Sequence, residues 1–331
     1  MTDHQNGVEV QGRLIPFPAS ISREARASLE RLVNDDGIPH NALYTMPLPD
    51  DHAGWMKVKA AADGHYAAAV KGLAVTLRAT VETVRTDAAT IHVATPETLS
   101  APDYALLDFH GGAFVFGGGE ACRAQARMQA DRQGALCYGV DYRMPPEHPY
   151  PAALDDAMAA YRHVLERHAP SRIVVSGRSA GGNLAVAMLL RAKAEGLPMP
   201  AGMVLLSPEV DLTESGDSFQ VNQMVDVVLP GSLMRNNLLY AGGAELSHPY
   251  LSPLFGELTG LPPTFLQSGT RDLFLSNAVR MHRALRRANV DAELHVFEAM
   301  PHGGFQGNTP EDHDLATEIS RFVARCWVRP A

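Results

Sequence analysis

Residues 172–188 read RIVVSGRSAGGNLAVAM. The opening half is a run of branched apolar side chains, the pattern of a strand buried on both faces. From Asn183 the composition turns alanine- and leucine-rich with helical spacing, so the change of period falls on Gly177-Arg178-Ser179-Ala180-Gly181. A chain that passes from strand to helix within so few residues needs neighbours without bulk, and glycine supplies both small size and freedom of φ. A serine held at such a turn carries its hydroxyl to the carboxyl end of the strands, beside a helix N-terminus that favours negative charge. Gly-x-Ser-x-Gly alone is a weak signal. Its strand–turn–helix setting makes Ser179 a candidate nucleophile, against the alternative of a merely structural turn.

Outward from this stretch, short apolar strands alternate with helical patterns. YALLDFH precedes a helix over 120–133, ALCYGVD one over 152–167, and RIVVSG one over 183–194; after GMVLLSP, PTFLQSG precedes a helix over 276–288 and AELHVF one over 312–328. Apolar strands with helical crossovers predict an α/β fold, a mostly parallel, doubly wound sheet covered on both faces. VTLRATVETV from Val75 and TIHVATP read as two further strands with period-two alternation. Residues from about Ser20 to Ala69 carry helical patterns broken by Pro39, Pro47 and Pro49. The rhythm also fails between Asp211 and Gly243. The expected organisation is therefore an N-terminal helical cap segment over 1–74 and a catalytic domain over 75–331 with a cap insertion at 211–243.

The chain has 331 residues, 46% of them hydrophobic and 20% charged, enough for one large core with an appended smaller layer. A formal net charge of −9, with no Lys/Arg block, argues against a nucleic-acid partner. Cys122, Cys137 and Cys326 are widely spaced and odd in number, which suggests neither a disulfide framework nor a zinc knuckle and points to a reducing, cytoplasmic setting. The polar start MTDHQNGVEV lacks the apolar run of a leader, and no stretch of about 18 apolar residues predicts a membrane span. With no His-Glu-x-x-His pair and no carboxylate cluster, neither metal nor cofactor is expected.

An acyl transfer needs hydrogen-bond donors aimed at the developing oxyanion. His110-Gly111-Gly112-Ala113 follows the strand YALLDF directly, so Gly111 and Gly112, with Ala180 after the nucleophile, are the candidate oxyanion-hole residues. Gly117–Gly119 does not follow a strand as a dinucleotide loop would and is read as a turn. A serine hydroxyl also needs a base, and the base needs an acid to hold its tautomer. His302 lies in MPHGGF just past the strand AELHVF, and Asp272 lies in GTRDLF just past PTFLQS. Ser179, Asp272 and His302 follow one another in the chain order of an α/β-hydrolase triad. Asp291 is the weaker rival acid, because it precedes its strand.

HGGA, DYRMPPEHPYPAALDD, GRSAGGN, LLSPEVDLTESGDS, GTRDLF and MPHGGF, in that order, resemble the bacterial hormone-sensitive-lipase-like esterases from about Val75 to the end. The resemblance implies a capped α/β-hydrolase fold and a cofactor-free serine carboxylesterase acting on short to medium acyl esters, with homodimers common in the family. It also implies that Asp141, Arg143 and Glu147 are a buried polar brace. Two positions depart from the family pattern. Ala113 replaces a third glycine, and Arg178 stands where an acid or threonine is usual; Arg178 is expected to pair with a carboxylate, the alternative being attraction of an anionic substrate. The same triad would serve a lactonase, an amidase or an acyltransferase, and a fold of this kind can also bind small molecules without cleaving them. Trp55, Met56 and the segment 224–239 are read as cap packing, with the lining of an acyl pocket as the alternative.

Overall fold

The computed structural model describes Val8, Gly12 and residues 14–86 and 88–328. The expectation drawn from the opening stretch MTDHQNGVEV falls largely outside the described residues. The strands are β1 (Thr80–Arg85), β2 (Thr90–Thr95), β3 (Ala101–Phe109), β4 (Ala135–Asp141), β5 (Ile173–Arg178), β6 (Gly202–Leu206), β7 (Thr264–Gly269) and β8 (Ala292–Phe297). They form one sheet in the order β1-β2-β4-β3-β5-β6-β7-β8. β1 and β2 pair antiparallel, as do β2 and β4, and every pairing from β4 to β8 is parallel. Strands β5, β6 and β7 are buried nearly throughout, which is why their sequences show apolar runs instead of alternation.

The expected strand from Val75 begins later, at Thr80. The carbonyls of Leu77 and Ala79 are taken instead by the Arg127 guanidinium, at 2.7 Å each, so the preceding residues are held by a side chain and not by a ladder.

Helices α1 (Arg23–Glu30) and α2 (His52–Ala74) precede the sheet, and α3 (Glu120–Gln133), α4 (Ala152–Leu165) and α5 (Ala180–Ala194) follow successive strands. The insertion holds the short α6 (Ser218–Val221) and α7 (Met234–Ala241); α8 (Leu275–Arg287) and α9 (Pro310–Val328) complete the set among the described residues. Helices α4, α5 and α8 cover one face of the sheet, with Leu154, Leu184, Leu189 and Met281 in the larger core. On the other face α3 and α9 contribute Ala126, Ala130, Leu315 and Phe322 to a second core. Both cores draw on alternate residues of the same central strands, such as Val175 and Val174 of β5. This is the mostly parallel α/β sheet, covered on both faces, that the alternation of elements predicts.

The segment before the sheet and the insertion touch. Trp55 of α2, fully buried, packs with Leu239 of α7 and with Val115 and Phe116 of the loop after β3, and Asn41 Nδ2 donates to the Val228 carbonyl at 2.8 Å. Helix α1 lies elsewhere: Ala25 and Leu29 pack on Met300 and Phe305 of the loop after β8.

Candidate active site

The turn after β5 is the sharp one that its sequence demands. Ser179 has φ 55° and ψ −123°, a conformation that costs a non-glycine residue on the order of 1–3 kcal/mol and persists only where the surroundings enforce it. The surroundings do: Ser179 N–H donates to the Leu206 carbonyl at 2.9 Å, and the Ser179 carbonyl accepts from Gly182, Asn183 and Glu209 N–H groups. Helix α5 starts at Ala180, three residues earlier than the composition suggests. A Cβ on Gly181 would lie 2.1 Å from the Phe109 carbonyl oxygen, so only glycine lets this turn press against the end of β3.

The loops after β7 and β8 bring Asp272 and His302 to the same rim. Ser179 Oγ is 3.0 Å from His302 Nε2, and His302 Nδ1 is 3.0 Å from Asp272 Oδ1. An ionised carboxylate only accepts, so Nδ1 carries the proton and Nε2 is left to accept from the serine hydroxyl. Burial pushes the Asp272 carboxyl up, but the His302 imidazole, the Phe274 N–H and the Ser268 hydroxyl outweigh it and hold the group below its ordinary value. The Ser268 hydroxyl donates at 2.7 Å and the Phe274 N–H at 2.9 Å. Phe274 also stands edge-on to the imidazole, with ring centroids 4.8 Å apart. The two loops approach closely because Gly269 lacks a side chain: a Cβ there would sit 1.9 Å from the Met300 carbonyl oxygen.

Gly111, first of the glycine pair after β3, lies against Ser179. A Cβ built on Gly111 would be 3.3 Å from Ser179 Cβ. His110, stacked on Tyr142 at 4.1 Å, is buried, and burial holds its imidazole below the ordinary value, so the ring is neutral. Its Nδ1–H donates to the Gly111 carbonyl at 2.7 Å. In a trans peptide C=O and N–H point in opposite directions, so this bond turns the Gly112 N–H away from the histidine. Ala180, directly after Ser179, is the first residue of α5.

Arg178 does not meet the expected carboxylate partner. Its Nη1 donates to the Gly303 carbonyl at 2.5 Å, tying the end of β5 to the residue after His302, while burial pulls the guanidinium down and Asp108 and Asp312 act on it only as neighbouring charges. The brace expected at 141–147 is also corrected in part. Arg143 pairs with the buried Asp156 at 2.6 Å, and Asp141 accepts from Gly119 N–H at 3.0 Å, but Glu147 is exposed and the Arg143 side chain nearly half so. Among the described residues one group could offer metal ligands, His92, Cys122 and Asp141, with ligand atoms within 4.8 Å of one another. His92 is already engaged there, by Thr83 at 3.0 Å and Asp141 at 3.2 Å. Trp55 is packed and bonded to the Leu48 carbonyl, whereas Met56 and Met224 are exposed.

Sequence reasoning passed over a second carboxylate at this rim. Asp226, in the insertion, is fully buried and accepts from Leu273 N–H at 2.8 Å and from His302 N–H at 3.3 Å. Its local signal is an Asx-type turn, with Val228 N–H at 2.9 Å and Leu229 N–H at 3.1 Å; the donors at 273 and 302 are remote in sequence.

A serine, an imidazole and a carboxylate in hydrogen-bonded series, on the carboxyl rim of a mostly parallel sheet, define the site of a hydrolase-type fold. A family model described as alpha/beta hydrolase fold matches residues 106–306. The crystal structure of an esterase, E25, superposes with a TM-score of 0.90 at 31% identity, covering 97% of this chain and 99% of that one. A crystal structure described as an esterase from the bacterial hormone-sensitive lipase family superposes with a TM-score of 0.76 at 29% identity, covering 92% of this chain and 99% of that one. Among curated relatives, an esterase of Acinetobacter venetianus is 33% identical over 66% of this chain and 74% of its own length. An acetyl-hydrolase of Streptomyces hygroscopicus is 36% identical over 60% of this chain and 67% of its own. The chain belongs to the alpha/beta-hydrolase fold family, among the bacterial hormone-sensitive-lipase-like esterases.

Proposed function

We propose that the chain hydrolyses short to medium acyl esters as a serine carboxylesterase, with Ser179 as nucleophile, His302 as general base and acid, and Asp272 as the carboxylate that orients His302. The unbroken series from Ser179 Oγ through His302 to Asp272, at 3.0 Å for each link, carries this reading. Ser179 Oγ attacks the ester carbonyl as His302 Nε2 takes its proton. The oxyanion that forms accepts from the N–H groups of Gly111, Gly112 and Ala180. His302 returns the proton to the leaving alcohol, and water, activated by the same imidazole, then releases the acid from Ser179. Residues 1–74 together with 211–243 are read as the cap over this site. Among the described residues no helix is long and apolar enough to cross a membrane; the wide spacing and odd number of the cysteines support a cytoplasmic setting, with a homodimer as the expected assembly.

A fluorophosphonate probe followed by peptide mass spectrometry tests the reading: one label per chain is expected, on Ser179. An unlabelled protein, or a label elsewhere, would overturn it. Arg178 acts in this scheme by holding the Gly303 carbonyl, not by meeting substrate. Arg178→Ala is therefore expected to lower kcat/KM by the same factor, about tenfold, on anionic and neutral esters of matched size. A loss confined to the anionic ester would assign it to substrate attraction instead.

A further inference from the structure

The insertion is expected to cover the site, yet its first part reaches beneath it. Ser218 opens α6, Asn222 opens the 3-10 turn that continues it, and Asp226 lies two residues beyond the end of that turn. All three side chains meet the loop carrying Asp272. The Ser218 hydroxyl donates to the Leu273 carbonyl at 2.6 Å and accepts from Ser276 N–H at 2.9 Å. Asn222 Nδ2 donates to the carbonyl of Asp272 itself at 2.8 Å and to that of Thr270 at 3.3 Å. The Asp226 carboxylate takes Leu273 N–H with one oxygen and Val228 and Leu229 N–H, at 2.9 and 3.1 Å, with the other, and His302 N–H lies 3.3 and 3.4 Å from the two.

We propose that residues 218–229 form a frame that fixes the acid and base loops relative to each other, and that Asp226 is its charged positioning residue, a second carboxylate that stabilises the His302 cation formed during turnover. This rests on the triad reading above. One side chain bonded to the backbones of both loops sets their separation, a role that Asp272 cannot perform alone because it belongs to one of them. The charge adds a second effect. Asp226 and Asp272 are both buried beside one imidazole, and the positive charge that His302 gains as it takes the serine proton reduces the repulsion between the two carboxylates.

The ionisable groups that face Asp226 are Asp272, on the loop after β7, and His302, on the loop after β8. The next residue, Val227, packs with the apolar Ala25 and Leu29 of α1. Burial and the Asp272 charge push the Asp226 carboxyl up to about 6, so it is largely ionised at pH 7.5 and above.

Asp226→Asn keeps the shape and removes the charge. Measured per active site titrated with the fluorophosphonate, kcat is expected to fall about 10- to 100-fold with KM within about twofold. The acid limb of the kcat/KM profile is expected to move to lower pH by about half a unit or more, because an imidazolium with one anion fewer beside it releases its proton more readily. A structural prop alone would lower the number of titratable sites and leave the limb in place. An unmoved limb or an unchanged kcat per titrated site overturns the proposal. Should this variant not fold, Asn222→Ala decides for the frame: it removes a neutral strut, so kcat per site should fall several-fold with the limb unmoved, and unchanged turnover would overturn the proposal. Failure of Ser179 to take the label in the wild-type protein would sink the triad reading instead, and the two failures are distinguishable.

Discussion

Ser179→Ala is expected to lower turnover of a p-nitrophenyl ester by about 10⁴–10⁶-fold, with the protein still folded and its affinity for substrate little changed. The magnitude follows from how the three groups work together. Without the hydroxyl there is no acyl-enzyme, and His302 and Asp272 have nothing to activate, so what persists is the stabilisation by the glycine amides and by binding. Asp272→Asn is expected to approach the lower figure, a loss of about 10⁴-fold. An amide at 272 presents its NH₂ as readily as its oxygen to Nδ1, which lets the imidazole adopt the tautomer with its proton on Nε2, facing the serine. Folding is spared by Ser179→Ala because the strain at the turn is held by the backbone bonds of Ser179 to Leu206, Gly182 and Glu209, none of which uses the hydroxyl. Steady-state kinetics with a denaturation curve for each variant checks both outcomes. Wild-type turnover in Ser179→Ala would remove the serine from the mechanism.

The elements of this fold are legible wherever the apolar period is set by burial in the sheet or against it. Helix α3 and strand β4 fall where the sequence puts them, Glu120–Gln133 and Ala135–Asp141, because each is bounded by a glycine or by a change of period. Ser179, Asp272 and His302 are legible for a related reason: each follows a strand of the parallel set, and strand ends mark the rim without any knowledge of distances. What escapes is information carried by side-chain bonds between remote residues. The residues before Thr80 alternate like a strand, yet Arg127, from α3, takes their carbonyls. Asp226 sits in a stretch with no period at all, and its meaning comes from N–H groups at 273 and 302. At Arg178 charge suggests a charged partner, but a backbone carbonyl on the base loop meets the guanidinium first. Glu147 is close to Asp141 and Arg143 only in sequence, and its side chain leaves the protein.

Glu209→Gln is expected to stabilise the protein increasingly as pH rises, a result that comes from a carboxyl group placed where a charge is costly. Glu209 is fully buried just after β6, and neither side-chain oxygen finds a hydrogen-bond partner among the described residues. Burial, then the charge of Glu214, pushes its carboxyl from 4.5 up to about 8, and the nearby Asn237 amide opposes this without reaching good hydrogen-bond geometry. Between those two values the unfolded chain has released the proton and the folded chain still holds it, so folding takes up a proton and stability declines with rising pH; below the lower value the group contributes no such loss, and above the higher one the loss is complete. Each tenfold change in proton affinity is about 1.4 kcal/mol, which makes the full loss on the order of 5 kcal/mol. Glutamine keeps the volume and cannot ionise. Urea unfolding from about pH 4 to about pH 9, a span that brackets both values, should give wild-type and variant curves that nearly coincide at the acid end and diverge through the neutral range, the variant being the more stable; parallel curves would show that Glu209 is not protonated at neutral pH. The same substitution bears on catalysis, since the Glu209 N–H holds the Ser179 carbonyl at 3.2 Å. A buried charge forming at that residue strains the segment that supports the nucleophile, so the variant should also keep its activity further into the alkaline range than the wild type.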